Sequence, residues 1–157
     1  MQDIKTEIIQ LLRTVERPGM DAVIAYLESS NYFTRGCYSH HKETGGLAAH
    51  SYEVYTHMCA HANGLPQDSI TVAAIFHDLG KTVSRRSKGW IPRHGHRAVA
   101  LLDSLGFELT ADERKAIWAH HDHRAIDYAT CRLLRHLSAG DCDSTGRWKR
   151  NHRKNTR

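Results

Sequence analysis

The sequence contains no stretch able to cross a bilayer. Its longest uncharged, mostly apolar run, Ser69 to Phe76, is eight residues, far short of the ~20 that a spanning helix needs. It also lacks a CxxC pair and any dense cysteine framework. The four cysteines, Cys37, Cys59, Cys131 and Cys142, are widely scattered, which excludes zinc-finger and disulfide-scaffold classes and predicts reduced thiols in a cytoplasmic protein. Met1 to Glu7 mixes both charge signs where a signal peptide would have a basic start and an apolar run, so secretion is not expected. No segment sustains the period-2 alternation of a half-buried strand, and no internal repeat is present.

Nor is there an excess of positive charge over most of the chain, although the net charge is +5. Arg147 to Arg157 holds six Lys and Arg and no acid; residues 1–146 carry 16 basic against 17 acidic side chains, a balance of −1. A nucleic-acid-binding role would therefore rest on the tail alone. The tail is expected to be a disordered, solvated terminus. The chain does have histidine in quantity, 13 of 157 residues, dispersed and not gathered in a tag. Its length suits one domain that buries about two thirds of its unfolded surface.

Apolar residues recur at helical spacing almost throughout, which predicts an all-α fold. A first helix carries Ile4, Ile8, Leu11, Leu12 and Val15 on one face, and a second follows Pro18-Gly19 with Met20, Val23, Ile24 and Leu27. Residues 1–30 thus read as a helical extension packed on a bundle, 31–146 as the main domain and 147–157 as the basic tail. After a polar and aromatic loop, a helix from Gly46 to Ala62 ends at Asn63-Gly64. The next is expected from Pro66–Ser69 to Leu79-Gly80, then a basic loop from Lys81 to Arg93. A helix from His94 to Leu105 follows, then one opened by the capping box Thr110-Ala-Asp-Glu113, and a last from Thr130 to Asp143.

On these helices several ionisable residues fall on apolar faces, where burial demands a partner or a metal. His50 shares a face with Val54, His57, Met58 and His61; His77 follows Ile70, Ala73 and Ala74; Asp141 lies beyond Leu134 and Leu137. Inward-facing His and Asp on neighbouring helices are how bundles commonly build metal sites.

In order along the chain stand Gly45-Gly46-Leu47-Ala48-Ala49-His50, His77-Asp78-Leu79-Gly80-Lys81, His94, His120-His121 and Asp141. This arrangement, over about residues 36–145, resembles the HD-domain phosphohydrolases. The segment His40-His41-Lys-Glu-Thr-Gly-Gly-Leu-Ala-Ala-His50 is most similar to the HD domain of bacterial 3′→5′ exoribonucleases. Those enzymes also carry an oligonucleotide-binding barrel for which this chain has no room, so their RNA substrate is not carried over. The resemblance implies an HD helical bundle in which His50, His77, Asp78 and Asp141 hold one ion, while Asp78 bridges to a second held by His94, His120 and His121. Such ligands suit one or two divalent transition ions, Fe or Mn foremost, with Zn, Ni and Co also acceptable. Paired ions can activate a water and stabilise phosphoryl oxygens.

Within that pattern Asp78 and Lys81 are the candidate catalytic residues, with Lys81 set to neutralise a substrate phosphate. His40 and His41 are candidate substrate contacts able to give protons or hydrogen bonds to a leaving group. Arg93-His94-Gly95-His96-Arg97 offers two histidines for one ligand position. Helical phase favours His94, which shares a face with Ala98, Leu101, Leu102 and Leu105; His96 falls on a more polar side and is a candidate substrate contact. Of His120 and His121, either both bind metal or one meets substrate. His57, His61, His123, His136 and His152 read as structural or surface residues, and Trp90 in the basic loop is placed to stack a base.

The expected activity is metal-dependent hydrolysis of a phosphomonoester or phosphodiester of a nucleotide or short oligonucleotide. Lys81, Arg85, Arg86, Lys88 and Arg93 would attract the anion. A phosphorylated small molecule or short nucleic acid is the expected partner, with no membrane and with a second copy of the chain admitted. Rival readings are an HD-fold di-iron oxygenase and a non-catalytic nucleotide sensor.

Overall fold

The computed structural model describes residues 3–37, 39–83, 93–121 and 131–153, apart from the side chains of residues 148 and 151–153. Among the described residues there are seven α-helices, one 3-10 turn and no strand. The helices are α1 (Ile4–Arg13), α2 (Met20–Ser29), α3 (Gly46–His61), α4 (Gln67–Phe76), α5 (His94–Ser104), α6 (Ala111–Ala119) and α7 (Arg132–Arg153), and the 3-10 turn is Leu79–Lys81. The all-α expectation holds.

Local chemistry sets the helix boundaries. Asp3 caps α1 by accepting from the Lys5 amide, and Thr110 with Glu113 forms the expected capping box at α6, each side chain bonding the other residue's backbone N–H. Gly19 precedes α2 with φ +86°, and a Cβ there would lie 2.4 Å from the Gly106 carbonyl oxygen, so only glycine allows this close crossing.

The apolar run that is too short for a membrane is the centre of the bundle. Every residue from Ser69 to Phe76 is buried, because α4 packs against α1, α3, α6 and α7 at once. On one side Ile8, Leu12, Val23 and Leu27 of α1 and α2 share a continuous core with Leu47, Val72, Ile75 and Phe76. On the other, Val54, Met58, Ala73, Ala74, Leu134 and Leu137 join α3, α4 and α7. A part-buried ion pair ties the first core to α6: Arg17 donates both Nη groups to the buried Glu113 carboxylate, at 2.6 and 2.8 Å.

Two boundaries differ from expectation. The segment expected to be a disordered tail instead continues α7 as far as Arg153, and Arg147 pairs with Asp143 one turn earlier at 2.8 Å. That single i,i+4 pair supports the turn at which the basic run begins. The fourth helix stops at Phe76, three residues before the expected Leu79, and this early end shapes the site.

Candidate metal centre

At the end of α4 the chain tightens. His77 keeps helical torsions (φ −54°, ψ −37°), but Asp78 turns at φ −101°, ψ 4° into the 3-10 turn. Successive residues on an ideal helix diverge by about 100°; here the break aims both side chains at one place, with His77 Nε2 3.4 Å from Asp78 Oδ2. Two glycines then bring the remaining helices in. A Cβ on Gly80 would lie 1.9 Å from the His94 carbonyl oxygen, and one on Gly95 would lie 2.3 Å from that of Ile117. Because neither has a side chain, the 3-10 turn presses on the start of α5, and α5 on the end of α6. His94 and His120 thereby reach Asp78.

Two adjoining groups of ligand-type atoms are bridged by one carboxylate, and a third, His40, His41 and His50, shares His50 with them. His50, His77 and Asp141 form the first, and Asp78, His94, His120 and His121 the second. His50 Nε2 lies 3.1 Å from Asp141 Oδ1 and 3.3 Å from His77 Nε2. His94 Nε2 lies 3.0 Å from Asp78 Oδ1 and 3.1 Å from His120 Nε2. Asp78 faces both groups, its Oδ1 toward the second and its Oδ2 3.6 Å from His50 Nε2. His121 Nε2, 3.5 Å from Asp141 Oδ2, closes the ring between them. All seven residues expected to be ligands are brought together, and between the two candidates on α5 it is His94 that is buried against Asp78.

The hydrogen bonds around the imidazoles fix which nitrogens can bind. His77 Nδ1 donates to the Ala74 carbonyl at 2.8 Å, and His120 Nδ1 to that of Ile117 at 2.7 Å. His50 Nδ1 is 3.0 Å from Ser144 Oγ, whose own hydrogen is given to Glu53 Oε2 at 2.6 Å, so Ser144 accepts from the ring. Each neutral ring therefore turns a bare Nε2 lone pair inward. The His50 and His77 lone pairs, facing one another at 3.3 Å, repel unless a positive charge lies among them, and buried Asp78 Oδ1 has no hydrogen-bond partner among the described residues. This donor set fits divalent ions, with Nδ1–H bonds of the kind that orient metal-ligating histidines.

Protonation states agree for His50, His120 and His121. Burial holds the His50 and His120 imidazoles below their usual range and takes His121 down to about 3, which keeps these rings neutral. Burial alone would raise the Asp78 and Asp141 carboxyls. The Lys81 ammonium beside Asp78 outweighs burial there and keeps that carboxyl ionised, and Asp141, set beside His50 and His77, is likewise held below the usual carboxylate range. His77 is raised because the charge of Asp78 outweighs its burial; a cation on that carboxylate would cancel the pull.

Lys81 is turned inward. Its Nζ donates to Asp78 Oδ2 at 2.5 Å with the side chain 14% exposed, which raises its pKa against the opposing effect of burial. His40 and His41 are both buried, with Nδ1 atoms 2.9 Å apart and their rings packed against His50. Burial takes His40 down to about 3, and His41 Nε2 lies 3.3 Å from Glu53. His96 is half-buried beside Trp118 and, with Arg93, His94, His120 and His121, lines a cavity of about 600 Å³. His57 pairs with Asp143 at 3.2 Å and stacks on His61, away from these groups. Arg85, Arg86, Lys88, Trp90 and His123 lie outside the described residues, as does the side chain of His152.

Glu53, Ser144 and Trp118 complete the surroundings and were not among the expected site residues. Glu53 and Ser144 each stand three positions beyond a ligand-type residue, His50 and Asp141, on the same helix face. That spacing is the signal that could have found them.

A family model described as HD domain matches residues 47–152. No curated protein and no solved structure matches the chain. The match extends to the family as a whole and does not single out the HD domains of exoribonucleases. No helix among the described residues is long and apolar enough to cross a membrane.

Proposed function

The chain belongs to the HD-domain family, and on that premise we propose that it is a metal-dependent phosphohydrolase acting on a nucleotide or short oligonucleotide. The observation that carries this reading is the convergence of bare imidazole nitrogens on Asp78 beside an open cavity. His50, His77, Asp78 and Asp141 would hold one divalent transition ion, and Asp78, His94, His120 and His121 a second. Fe or Mn is favoured, with Zn, Ni and Co compatible with the same donors. Such ions would supply a water activated as nucleophile and charge stabilisation on the phosphoryl oxygens.

The chain's own residues have distinct parts. Asp78, ionised and buried, is the shared anchor on which both groups depend. Lys81 holds Oδ2 of that carboxylate in place, and its ammonium adds positive charge to the centre. Arg93 adds a guanidinium at the cavity wall, suited to paired hydrogen bonds with a phosphate. The Glu53–Ser144 pair keeps His50 in the tautomer that offers Nε2. His40 and His41, packed against His50, exclude water from that flank and sit where a leaving group could be met.

The test is a panel of nucleotides, cyclic nucleotides, dinucleoside polyphosphates and short RNA, each supplied with Mn or Fe, comparing the parent with His77→Ala/Asp78→Ala. Release of phosphate or nucleotide from at least one member by the parent alone is expected. Equal release by both proteins from every member would remove the reading.

A further inference from the structure

Trp118 is a large aromatic residue on the exposed face of α6 with Arg114 and Lys115. Its neighbours on α6, Ile117 and Ala119, are 0% and 3% exposed, whereas its indole is 41% exposed. Large exposed apolar side chains are few among the described residues, and the other two, Ile4 and Val83, do not line the cavity beside the His/Asp centre. Trp118 does, together with His94 and His120. Its indole packs against His96, which lines the same cavity, with ring centroids 4.2 Å apart and planes tilted by 50°. A flat, polarisable surface is thus fixed within the cavity that opens onto Asp78's ring of nitrogens.

We infer that Trp118, with His96 packed against it, is the subsite for the base of a nucleotide whose phosphate lies at the His/Asp centre. The inference rests on the phosphohydrolase reading for the position of the phosphate. Three features select this ligand chemistry. Every nucleobase presents a π-face, and stacking on an aromatic side chain is largely independent of base identity. Arg93 on the same wall provides a cation for the phosphate that such a ligand must carry. The cavity, about 600 Å³, falls within the range of sites that take small organic ligands, about 300–1,000 Å³. His96 acquires a role here that differs from metal binding: it packs against the indole, and His94 two residues earlier turns to Asp78. Trp118 is accordingly a specificity-determining residue and takes no part in bond breaking.

The experiment has two arms. In the first, full-length protein carrying Trp90→Phe and Trp148→Phe, so that Trp118 is the sole indole, is loaded with Zn and titrated with adenosine 5′-monophosphate, ribose 5-phosphate and inorganic phosphate. Emission should be quenched by the nucleotide and by neither of the others. In the second, Trp118→Ala should raise KM for base-bearing substrates roughly 5- to 100-fold with kcat changed less than about twofold, as expected for loss of one stacking contact. KM for sugar phosphates should not move, and Trp118→Phe should recover part of the loss.

Because the side chain is partly exposed, these variants should fold, and circular dichroism checks that they do. Equal quenching by ribose 5-phosphate, no quenching by the nucleotide, or a KM rise shared by base-bearing and base-free substrates would each overturn the subsite. If the parent hydrolyses no phosphoester, the phosphohydrolase reading fails, and the emission titration still decides whether a base stacks on Trp118.

Discussion

Ser144→Ala should weaken metal binding although Ser144 contributes no ligand atom. Ser144 Oγ accepts the Nδ1–H of His50 at 3.0 Å while donating to Glu53 at 2.6 Å, and both Ser144 and His50 are 0% exposed. Removing the hydroxyl leaves the ring's Nδ1–H without an acceptor in a site closed to water. The proton can then move to Nε2, the atom that faces His77 and Asp141, and block it as a ligand. Loss of an orienting partner behind a metal-bound histidine typically costs 10–100-fold in affinity, or about 1.4–2.7 kcal/mol. Glu53→Gln should cost less, since its amide oxygen can still accept from Ser144.

The assay is competition for Co or Mn against a chelator of known affinity, with circular dichroism to confirm that the fold is kept. The expected order of affinity is parent, then Glu53→Gln, then Ser144→Ala. If Ser144→Ala binds as tightly as the parent, the hydrogen-bond relay does not set the His50 tautomer, and the argument from inward-facing lone pairs fails at its best-defined point.

Arg17→Met should lower stability at pH 7 by about 2–4 kcal/mol, because it strands a buried carboxylate, and lower Tm by roughly 5–12 °C. Burial would raise the Glu113 carboxyl, but hydrogen bonds from Arg17, Ser69 and the Thr110 amide hold it below its ordinary value. Its contribution is therefore full above the unfolded value of about 4.3 and is lost as pH falls through the lower folded value. Melting curves should show the gap between parent and variant closing in acid, and a pH-independent gap would contradict this. Gly80→Ala, whose Cβ would lie 1.9 Å from the His94 carbonyl oxygen, should cost about 3 kcal/mol or more in urea unfolding. Gly106→Ala, with open space around its Cβ but φ +72°, should cost only about 1 kcal/mol; equal losses would show that the close approach at Gly80 is not what matters.

Helical periodicity was sufficient for the fold, because each helix buries one stripe and α4 buries all of its middle. Some of the ligand-type residues were legible for the same reason: His50, His77 and Asp141 interrupt apolar faces, and His94 could be preferred to His96 by phase; Asp78, His120 and His121 were reached through the resemblance to HD-domain sequences. What periodicity could not reveal depends on contacts between distant segments. The turn at Asp78 arises where Gly80 meets the backbone of α5, and no local pattern distinguishes that from a longer helix. Likewise His40 and His41 sit in a polar stretch that reads as a solvated loop, yet they are buried against His50 from α3. Ser144 and Glu53 look like ordinary helix-surface residues until α3 and α7 are packed together. The helical continuation to Arg153 was hidden by the concentration of one charge sign, which conceals how Arg147 answers Asp143.

The central claim is that the His/Asp groups form one divalent-metal centre bridged by Asp78. Metal content per chain, measured by elemental analysis of purified parent and Asp78→Ala after supply of Mn or Fe and removal of loosely bound ions, tests it most directly. The parent should retain about one to two transition ions and the variant close to none. Parent protein that retains none, or a variant that retains as much as the parent, would contradict it.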